Sequence, residues 1–413
     1  MVKKLFFNAI LLLGILIGLL GAGIAQARPP ADPGIPGHPE KLVTLDSYAI
    51  LPGQGLVFNT ISDNSVSFNP VDGYPYISYY HASTHQLALA SPVQSGGNCG
   101  TNNSWWCRDV TSGADDNGRY SSIAFWKGTA GAWKLGISYF DANGAGSLWF
   151  AEYHCAIGCS WHIDQIDSTI FWSKGAFNSL QYDSSGVPGI SYYGQAAMAG
   201  TSGLFYAFYK VSGGNCGPSN TWQCDLIDSG GSPGMGKFTS LAVSSTGVPN
   251  ISYYDQISGL LKFAQPAVTG NCGGSHWSCM GIDGGPNDVG ISSAMVMDSA
   301  DRPLIAYYDA TAEHLKVANY IGPGQLGTNC GMIGLFYAWK CTEIDEMGDF
   351  SASEYPAIAA AYFPGTAIPL IAYEVRPLAS PDYLKSASSI RRYSCFNLPG
   401  RVTCLKIRDR GYF

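Results

Sequence analysis

Charge is scarce in this chain. Asp, Glu, Lys and Arg make up 13% of the residues, against about 25% in an ordinary soluble domain. A fold of amphipathic helices needs charged outer faces, so a mainly helical protein is excluded. Basic residues are the scarcer kind: 23 Lys and Arg against 30 Asp and Glu leave a net charge of -7. Nucleic acid is therefore not an expected partner, because phosphate binding wants a basic surface. No His-Glu-x-x-His pair and no phosphate loop occurs, and no catalytic residue is assigned. Long apolar runs are confined to one place near the start. Everywhere else charged or turn residues interrupt them, so no membrane insertion is expected once that segment is cleaved.

That segment has three parts. Met1-Val-Lys-Lys4 is positive, Leu5 to Ala25 is apolar, and Ala25-Gln-Ala27 closes with small residues before Arg28. This is the order of a secretory signal, assigned here to residues 1–27. The run is longer than the usual 7–15 residues, which leaves two fates. Cleavage after Ala27 gives a secreted, extracellular protein, and retention gives a cell-surface one. Residues 28–40 hold Pro29, Pro30, Pro33, Pro36 and Pro39 and read as a stiff spacer. Residues 41–413 remain as the folded domain.

Aromatic residues and glycine are abundant, with 25 Tyr, 10 Trp and 51 Gly. Low charge with many aromatic and β-branched residues fits sheets covered on both faces. Self-comparison is more specific. Ile-Ser/Ala-Tyr-aromatic recurs at Ile77, Ile137, Ile190, Ile251 and Ile305, and a sixth copy at Ile371 ends in Glu374. Around each copy lie a preceding strand and turn, a following strand such as Leu260-Leu-Lys-Phe-Ala264, and a Cys-bounded segment leading into a last run such as Asp225-Leu-Ile-Asp228. Four short strands in a repeat spaced 53 to 66 residues apart suit a propeller blade. The expected fold is all-β: a six-bladed β-propeller of four-stranded antiparallel blades, one disulfide per blade. Alternation along the core strand would turn Ile77 and Tyr79 to one neighbouring blade and Ser78 and Tyr80 to the other. Ring closure has two versions. Thr44-Leu-Asp-Ser47 could add an outer strand to the last blade, yet Arg401 to Asp409 resembles that blade's own fourth strand.

The 12 cysteines fall into close pairs, one per repeat: Cys99 with Cys107, Cys155 with Cys159, Cys216 with Cys224, Cys272 with Cys279, Cys330 with Cys341, and Cys395 with Cys404. Even count, export signal and repeat-locked pairing predict six local disulfides, each clipping the hairpin between third and fourth strands. Zinc is the rival reading, but pairs spread one per blade cannot converge on one ion. His154, Cys155, Cys159 and His162 form the one local Cys/His cluster, and a disulfide is expected there too.

Acidic residues follow the core strand at Asp141, Asp255 and Asp309, and others close the fourth strands at Asp109, Asp167, Asp228, Asp283, Asp345 and Asp409. Both series would surround the mouth of a central channel, either as turn caps or as a rim that binds a ligand. Function in a repeat protein also lies where one unit departs from the rest. His81 and His85 in the first repeat and Glu374 and Arg376 in the sixth are such departures. His81, His85, Asp141, Asp255, Asp309, Glu374 and Arg376 are therefore the candidate ligand-binding residues. No cofactor is called for. Asp115-Asp-Asn-Gly118 begins like a calcium loop but lacks its distal Glu, so calcium stays a candidate that no complete motif supports. The apolar stretch Met332 to Trp339 is a candidate contact patch.

The Gly-x-Pro-x-Ile-Ser-Tyr-Tyr-Asp unit at Gly247 to Asp255, with a following Leu-Lys-x-Ala strand, resembles repeats of secreted bacterial β-propellers of the broad sialidase-like and lectin-like kind. The resemblance implies a fold and not an activity. Sialidases of that kind carry Ser-x-Asp-x-Gly-x-x-Trp boxes, and this chain has none. Two functions are left open. One is a non-catalytic binding module for glycans or a cell-surface protein, since aromatic rings can stack on sugar faces. The other is an extracellular glycan hydrolase with a single blade-asymmetric acid/base site.

Overall fold

The computed structural model describes residues 61–407 apart from residues 94, 100–102, 114, 130–131, 156–158, 199, 232–233, 351–354, 357, 363–368, 376–382, 389–391 and 399–400. The segments expected to be a signal and a spacer, the strand proposed around Thr44, Arg376 and Asp409 lie outside the described residues. Side chains from Glu374 onward also lie outside them.

The described chain is all-β apart from short 3-10 turns such as Pro218–Asn220 and Gly273–Ser275. Among the described residues no helix is long and apolar enough to cross a membrane. Six antiparallel sheets follow one another along the chain. The first holds β1 (Ile61–Phe68), β2 (Pro75–His81), β3 (Gln86–Pro92) and β4 (Trp105–Asp109). The second holds β5 (Asn117–Lys127), β6 (Trp133–Asp141), β7 (Ser147–Cys155) and β8 (Cys159–Asp167). The third holds β9 (Trp172–Tyr182), β10 (Pro188–Ala196), β11 (Thr201–Tyr209) and β12 (Trp222–Gly231). The fourth holds β13 (Met235–Val243), β14 (Pro249–Asp255), β15 (Leu260–Pro266) and β16 (Trp277–Asp283).

The last two sheets depart from the expected four strands. In the fifth, β17 (Val289–Met297), β18 (Pro303–Asp309) and β19 (His314–Tyr320) are followed by a short β20 (Cys330–Ile333) and β21 (Phe336–Glu346). Their order is β17-β18-β19-β21-β20, so the extra strand lies outside the fourth position. In the sixth, β22 (Ile358–Tyr362), β23 (Pro369–Val375), β24 (Tyr383–Ser388), β25 (Arg392–Leu398) and β26 (Arg401–Ile407) run in sequence order. The strand near Arg401 is thus the fifth of its sheet and not the fourth.

Side-chain alternation explains how neighbouring sheets pack. Ile251 and Tyr253 enter a core shared with Leu204 and Tyr206 of the third sheet. Tyr254 turns the other way, into a core with Ile291, Leu304 and Tyr308 of the fifth. Ser252, between them, is fully buried. Each first strand also packs on the next: β1 on β5, β5 on β9, β9 on β13, β13 on β17 and β17 on β22. One cavity of about 410 Å³ takes lining from all six sheets, among them Ser65, Ser121, Asn178, Thr239, Ser293 and Ile358.

Four disulfides join Cys99 to Cys107, Cys216 to Cys224, Cys272 to Cys279 and Cys330 to Cys341. They do not clip the third strand to the fourth. The first cysteine of three of these pairs bridges the Trp that opens the fourth strand (Cys99 with Trp105, Cys216 with Trp222, Cys272 with Trp277), and in the fifth sheet Cys330 belongs to the outer β20. The loop between the strands therefore folds back along the outer edge of the fourth strand, and the disulfide fastens it there. The Asn before each first cysteine explains the recurring Gly-Asn-Cys. Asn215 Nδ2 donates to Cys224 O at 2.9 Å and its Oδ1 accepts Cys224 N–H at 2.7 Å, so the side chain imitates a ladder partner. Asn98, Asn271 and Asn329 repeat this on Cys107, Cys279 and Cys341. A Cβ on Gly214 would lie 1.9 Å from Trp222 O, which is why glycine precedes Asn215; in the fifth repeat, with its longer loop, Thr328 precedes Asn329. The second repeat differs: Cys155 and Cys159 face each other directly across the β7–β8 hairpin, and Cys159 is disulfide-bonded. Cys395 and Cys404 face each other across β25 and β26, with their side chains outside the described residues.

Candidate functional site

The first strands begin where the second and fourth strands end, so both acidic series of the sequence emerge at the end of the sheets where the first strands begin. The start of each first strand is irregular there. The pairing slips between Arg119 and Ser122, between Lys237 and Ser240, and between Ile291 and Ala294. Tyr120, Phe177, Phe238 and Ser292 take positive φ values of 52°, 50°, 51° and 54° at the equivalent positions. An L-residue in this region costs roughly 1–2 kcal/mol. A glycine two residues earlier allows the approach: a Cβ on Gly236 would meet Leu204 N of the preceding sheet at 2.6 Å.

The strained residues put aromatic rings at the mouth of the shared cavity. Ring centroids are 4.7 Å apart for Tyr120 and Phe177, 4.6 Å for Phe177 and Phe238, and 4.6 Å for Phe238 and Tyr355. The second, third, fourth and sixth repeats thus contribute to one half-buried aromatic cluster. Beside it Arg119 lies over the Tyr80 ring at 4.8 Å and donates to Asp116 Oδ2 at 2.9 Å. Burial, with help from the Asp116 hydrogen bond, pushes the Tyr80 hydroxyl up to about 12. On the far side Lys237 Nζ lies 5.8 Å from the Tyr193 ring and donates to Gln256 Oε1 at 2.8 Å. Apolar ring faces and polar groups of both signs therefore share one mouth.

The structure places the candidate residues as follows. Asp141, Asp255 and Asp309 are buried and hold their own turns. Asp141 accepts Asn143 N–H at 2.8 Å, Asp255 accepts Ile257 N–H at 3.2 Å, and Asp309 accepts Ala312 N–H at 2.9 Å. Burial raises the Asp141 carboxyl above its ordinary value, although two hydrogen bonds from Asn143 oppose this. His85 Nδ1 lies 2.8 Å from Tyr80 OH and 3.8 Å from Asp116. His81 Nδ1 lies 2.9 Å from Asp109 Oδ1. The pairing of His81 with Glu374 falls outside the described residues, as does Arg376.

Most of the second acidic series joins sheet to sheet. Tyr192, Tyr253, Tyr307 and Tyr373 donate at 2.6 Å to Asp167, Asp228, Asp283 and Asp345, each at the end of the preceding sheet. Lys174, Lys262 and Lys316 pair with the first three of these carboxylates. Lys316 also reaches Asp309 at 3.6 Å.

Two features lie away from this end. A groove of about 710 Å³ between the second and third sheets is lined by Phe150 and Trp222, with Glu152 paired to His154 at 2.8 Å and Asp164 to His162 at 3.1 Å. Among the described residues no group of three or more His, Cys, Asp or Glu could hold a metal ion. The hairpin tip at Met332, Ile333, Leu335, Phe336 and Tyr337 is exposed, and Leu335 is 88% exposed.

The aromatic cluster is not among the candidates that the sequence pattern singles out. Its signal was there: Gly118-x-Tyr120, Gly175-x-Phe177, Gly236-x-Phe238 and Gly290-x-Ser292 recur in register. No known family profile matches this chain, and no curated protein does. Several solved structures are similar at low identity. AofleA from Arthrobotrys oligospora is 9% identical with a TM-score of 0.44, over 87% of this chain and 88% of that one. The polysaccharide lyase Uly1 is 9% identical with a TM-score of 0.41, over 80% and 77% of the two chains. An alpha-L-arabinofuranosidase from Lactobacillus brevis is 12% identical with a TM-score of 0.36, over 83% and 93%.

Proposed function

We propose that this chain is an exported, non-catalytic glycan-binding protein whose six sheets close as a six-bladed β-propeller and whose ligand sits at the axial mouth. The observation that carries the reading is the aromatic cluster itself. Tyr120, Phe177 and Phe238 come from three successive repeats, each in a costly backbone conformation, and remain half-buried beside open polar groups. Strain retained at equivalent positions of a repeat marks a constrained site. Partly exposed ring faces beside hydrogen-bonding groups match the amphipathic surface of a pyranose, apolar on its C–H face and polar at its edge. His81, His85, Asp116 and Arg119 form the rim on the first-repeat side, and the sequence pattern alone adds Glu374 and Arg376 of the sixth repeat to the proposed ligand-binding set. Closure of the ring is supported by the cavity that every sheet lines, with β1 of the first sheet and β22 of the last among its walls.

The test is a glycan array probed with the disulfide-intact exported chain, in calcium and again with chelator. Binding to one sugar class is expected, with at least a tenfold loss in Phe177→Ala at unchanged fold. A blank array, or binding that Phe177→Ala and Tyr120→Ala leave intact, overturns the reading. Loss with chelator alone would make the acidic rim a calcium site. A hydrolase is the second reading, favoured by the burial of Asp141, which raises its pKa and favours the protonated acid. Turnover of the bound glycan that disappears in Asp141→Asn would establish it.

A further inference from the structure

The first repeat departs from the others at two linked positions. Where Asp255 and Asp309 hold the turn after the second strand, the first repeat has His81. In the second, fourth and fifth repeats the turn carboxylate accepts the amide two residues on, as Asp141 does from Asn143, Asp255 from Ile257 and Asp309 from Thr311. His81 points instead to Asp109, at the end of the same sheet. Asp167, Asp228 and Asp283, the equivalents of Asp109, are held by a Tyr and a Lys from elsewhere. Asp109 is held by His81, with Nδ1 2.9 Å from Oδ1. The other ring nitrogen, Nε2, lies 2.9 Å from Ser83 Oγ.

We infer that Ser83, His81 and Asp109 form a nucleophilic relay that accepts acyl groups from carboxylic esters. The carboxylate can only accept, so the neutral imidazole carries its proton on Nδ1. Nε2 is then left as the acceptor for the Ser83 hydroxyl, the order of contacts that activates a serine. Ser83 is exposed and the side chains of His81 and Asp109 are about one-third exposed, so an ester can reach Oγ. The Ser83 amide, whose counterparts are capped by a turn carboxylate, has no acceptor among the described residues. It is placed to donate to the oxyanion that forms.

In the reaction Ser83 Oγ bonds to the ester carbonyl carbon while its proton passes to His81 Nε2. The tetrahedral adduct collapses, the C–O bond to the alcohol breaks, and the leaving alkoxide takes the proton from Nε2. Water, deprotonated by the same nitrogen, then attacks the acyl-serine; the bond from the acyl carbon to Ser83 Oγ breaks, Oγ takes the proton back from Nε2, and the carboxylic acid leaves. Asp109 positions the ring and stabilises the imidazolium. His81 is shared with the proposed glycan rim, whereas the aromatic cluster of Tyr120, Phe177 and Phe238 takes no part in this chemistry.

The exported chain, folded and with disulfides intact, is treated with a fluorophosphonate probe and mapped by peptide mass spectrometry, with p-nitrophenyl acetate hydrolysis followed in parallel. One adduct on Ser83 is expected, absent in Ser83→Ala. The labelling rate should fall by about 10²–10⁴-fold in His81→Gln, the range of a lost general base, with a further loss of rate in Asp109→Asn. The melting temperature of each variant separates this from misfolding, and His81→Gln decides if Asp109→Asn does not fold. No adduct on Ser83, or labelling that His81→Gln leaves unchanged, overturns the proposal.

Discussion

Ser252 Oγ lies 2.8 Å from Ser293 Oγ across the seam between the fourth and fifth sheets. Ser293 donates its own proton to Phe238 O at 2.9 Å, so Ser252 is the donor in the first contact. The same seam recurs as Ser78 with Ser121, Ser138 with Asn178, and Ser191 with Thr239. The serine of the repeated Ile-Ser-Tyr thus links its sheet to the next, where its partner (Asn178, Thr239 or Ser293) donates to the carbonyl of the strained aromatic residue. Ser252→Ala should cost about 1 kcal/mol, the net worth of one buried hydrogen bond. A urea midpoint that falls at unchanged slope would show it, and an unchanged midpoint would remove the serines from the account of the seam.

The outer-edge clip makes a separate prediction. Replacing Cys272 and Cys279 together by Ser should cost about 2–3 kcal/mol, the chain-entropy value for so short a loop. Asn271→Ala, which leaves the sulfur bridge but removes both side-chain contacts to Cys279, should cost about 1–2 kcal/mol. If Asn271→Ala proved neutral by chemical denaturation, the Asn would be dispensable once the bridge has formed.

Much of this was open to a reader of the sequence alone, because it lives in local periodicity. The alternation through Ile251, Ser252, Tyr253 and Tyr254 assigns each side chain to one neighbour, and the Gly-Asn-Cys frame marks each bridged edge. The rest was hidden for definite reasons. Tyr253 and Asp228 belong to different repeats, and local pattern does not say which carboxylate a tyrosine of the next sheet will meet. The left-handed turn at Phe177 is set by the approach of two sheets, which no propensity records. The extra outer strand at Cys330–Ile333 arises because the fifth repeat has a longer loop than the others, long enough to make its own ladder.

The Tyr–Asp–Lys links are more costly to break on one side than to remove together. Lys262 Nζ lies 2.5 Å from Asp228 Oδ2, and both side chains are mostly buried. Lys262→Met should destabilise the fold by about 1–3 kcal/mol, because it leaves a partly buried carboxylate without its cation. Adding Asp228→Asn should restore part of that loss. A double variant as unstable as the sum of the two single ones would show that the charges do not act as a pair.

Tyrosine ionisation sets a limit on the alkaline side. Burial, reinforced by the facing carboxylates, pushes Tyr192, Tyr253 and Tyr307 well above the ordinary phenol value. Tyr308 is raised by burial to about 12. A raised value in the folded state means that the fold prefers the protonated phenol. The stability this contributes is complete below the unfolded value of about 10. It is lost as pH rises from there through the folded values, because the unfolded chain releases these protons first. Stability should therefore be flat with respect to tyrosine near neutrality and fall steeply above about pH 10. Tyrosinate absorbance followed with circular dichroism is the check: the buried phenols should ionise only as the sheets unfold. Tyr253→Phe removes one such proton and should make the alkaline fall less steep. Full ionisation near pH 10 with the sheets intact would mean that these hydroxyls are open to water, and that the carboxylates facing them do not join one sheet to the next.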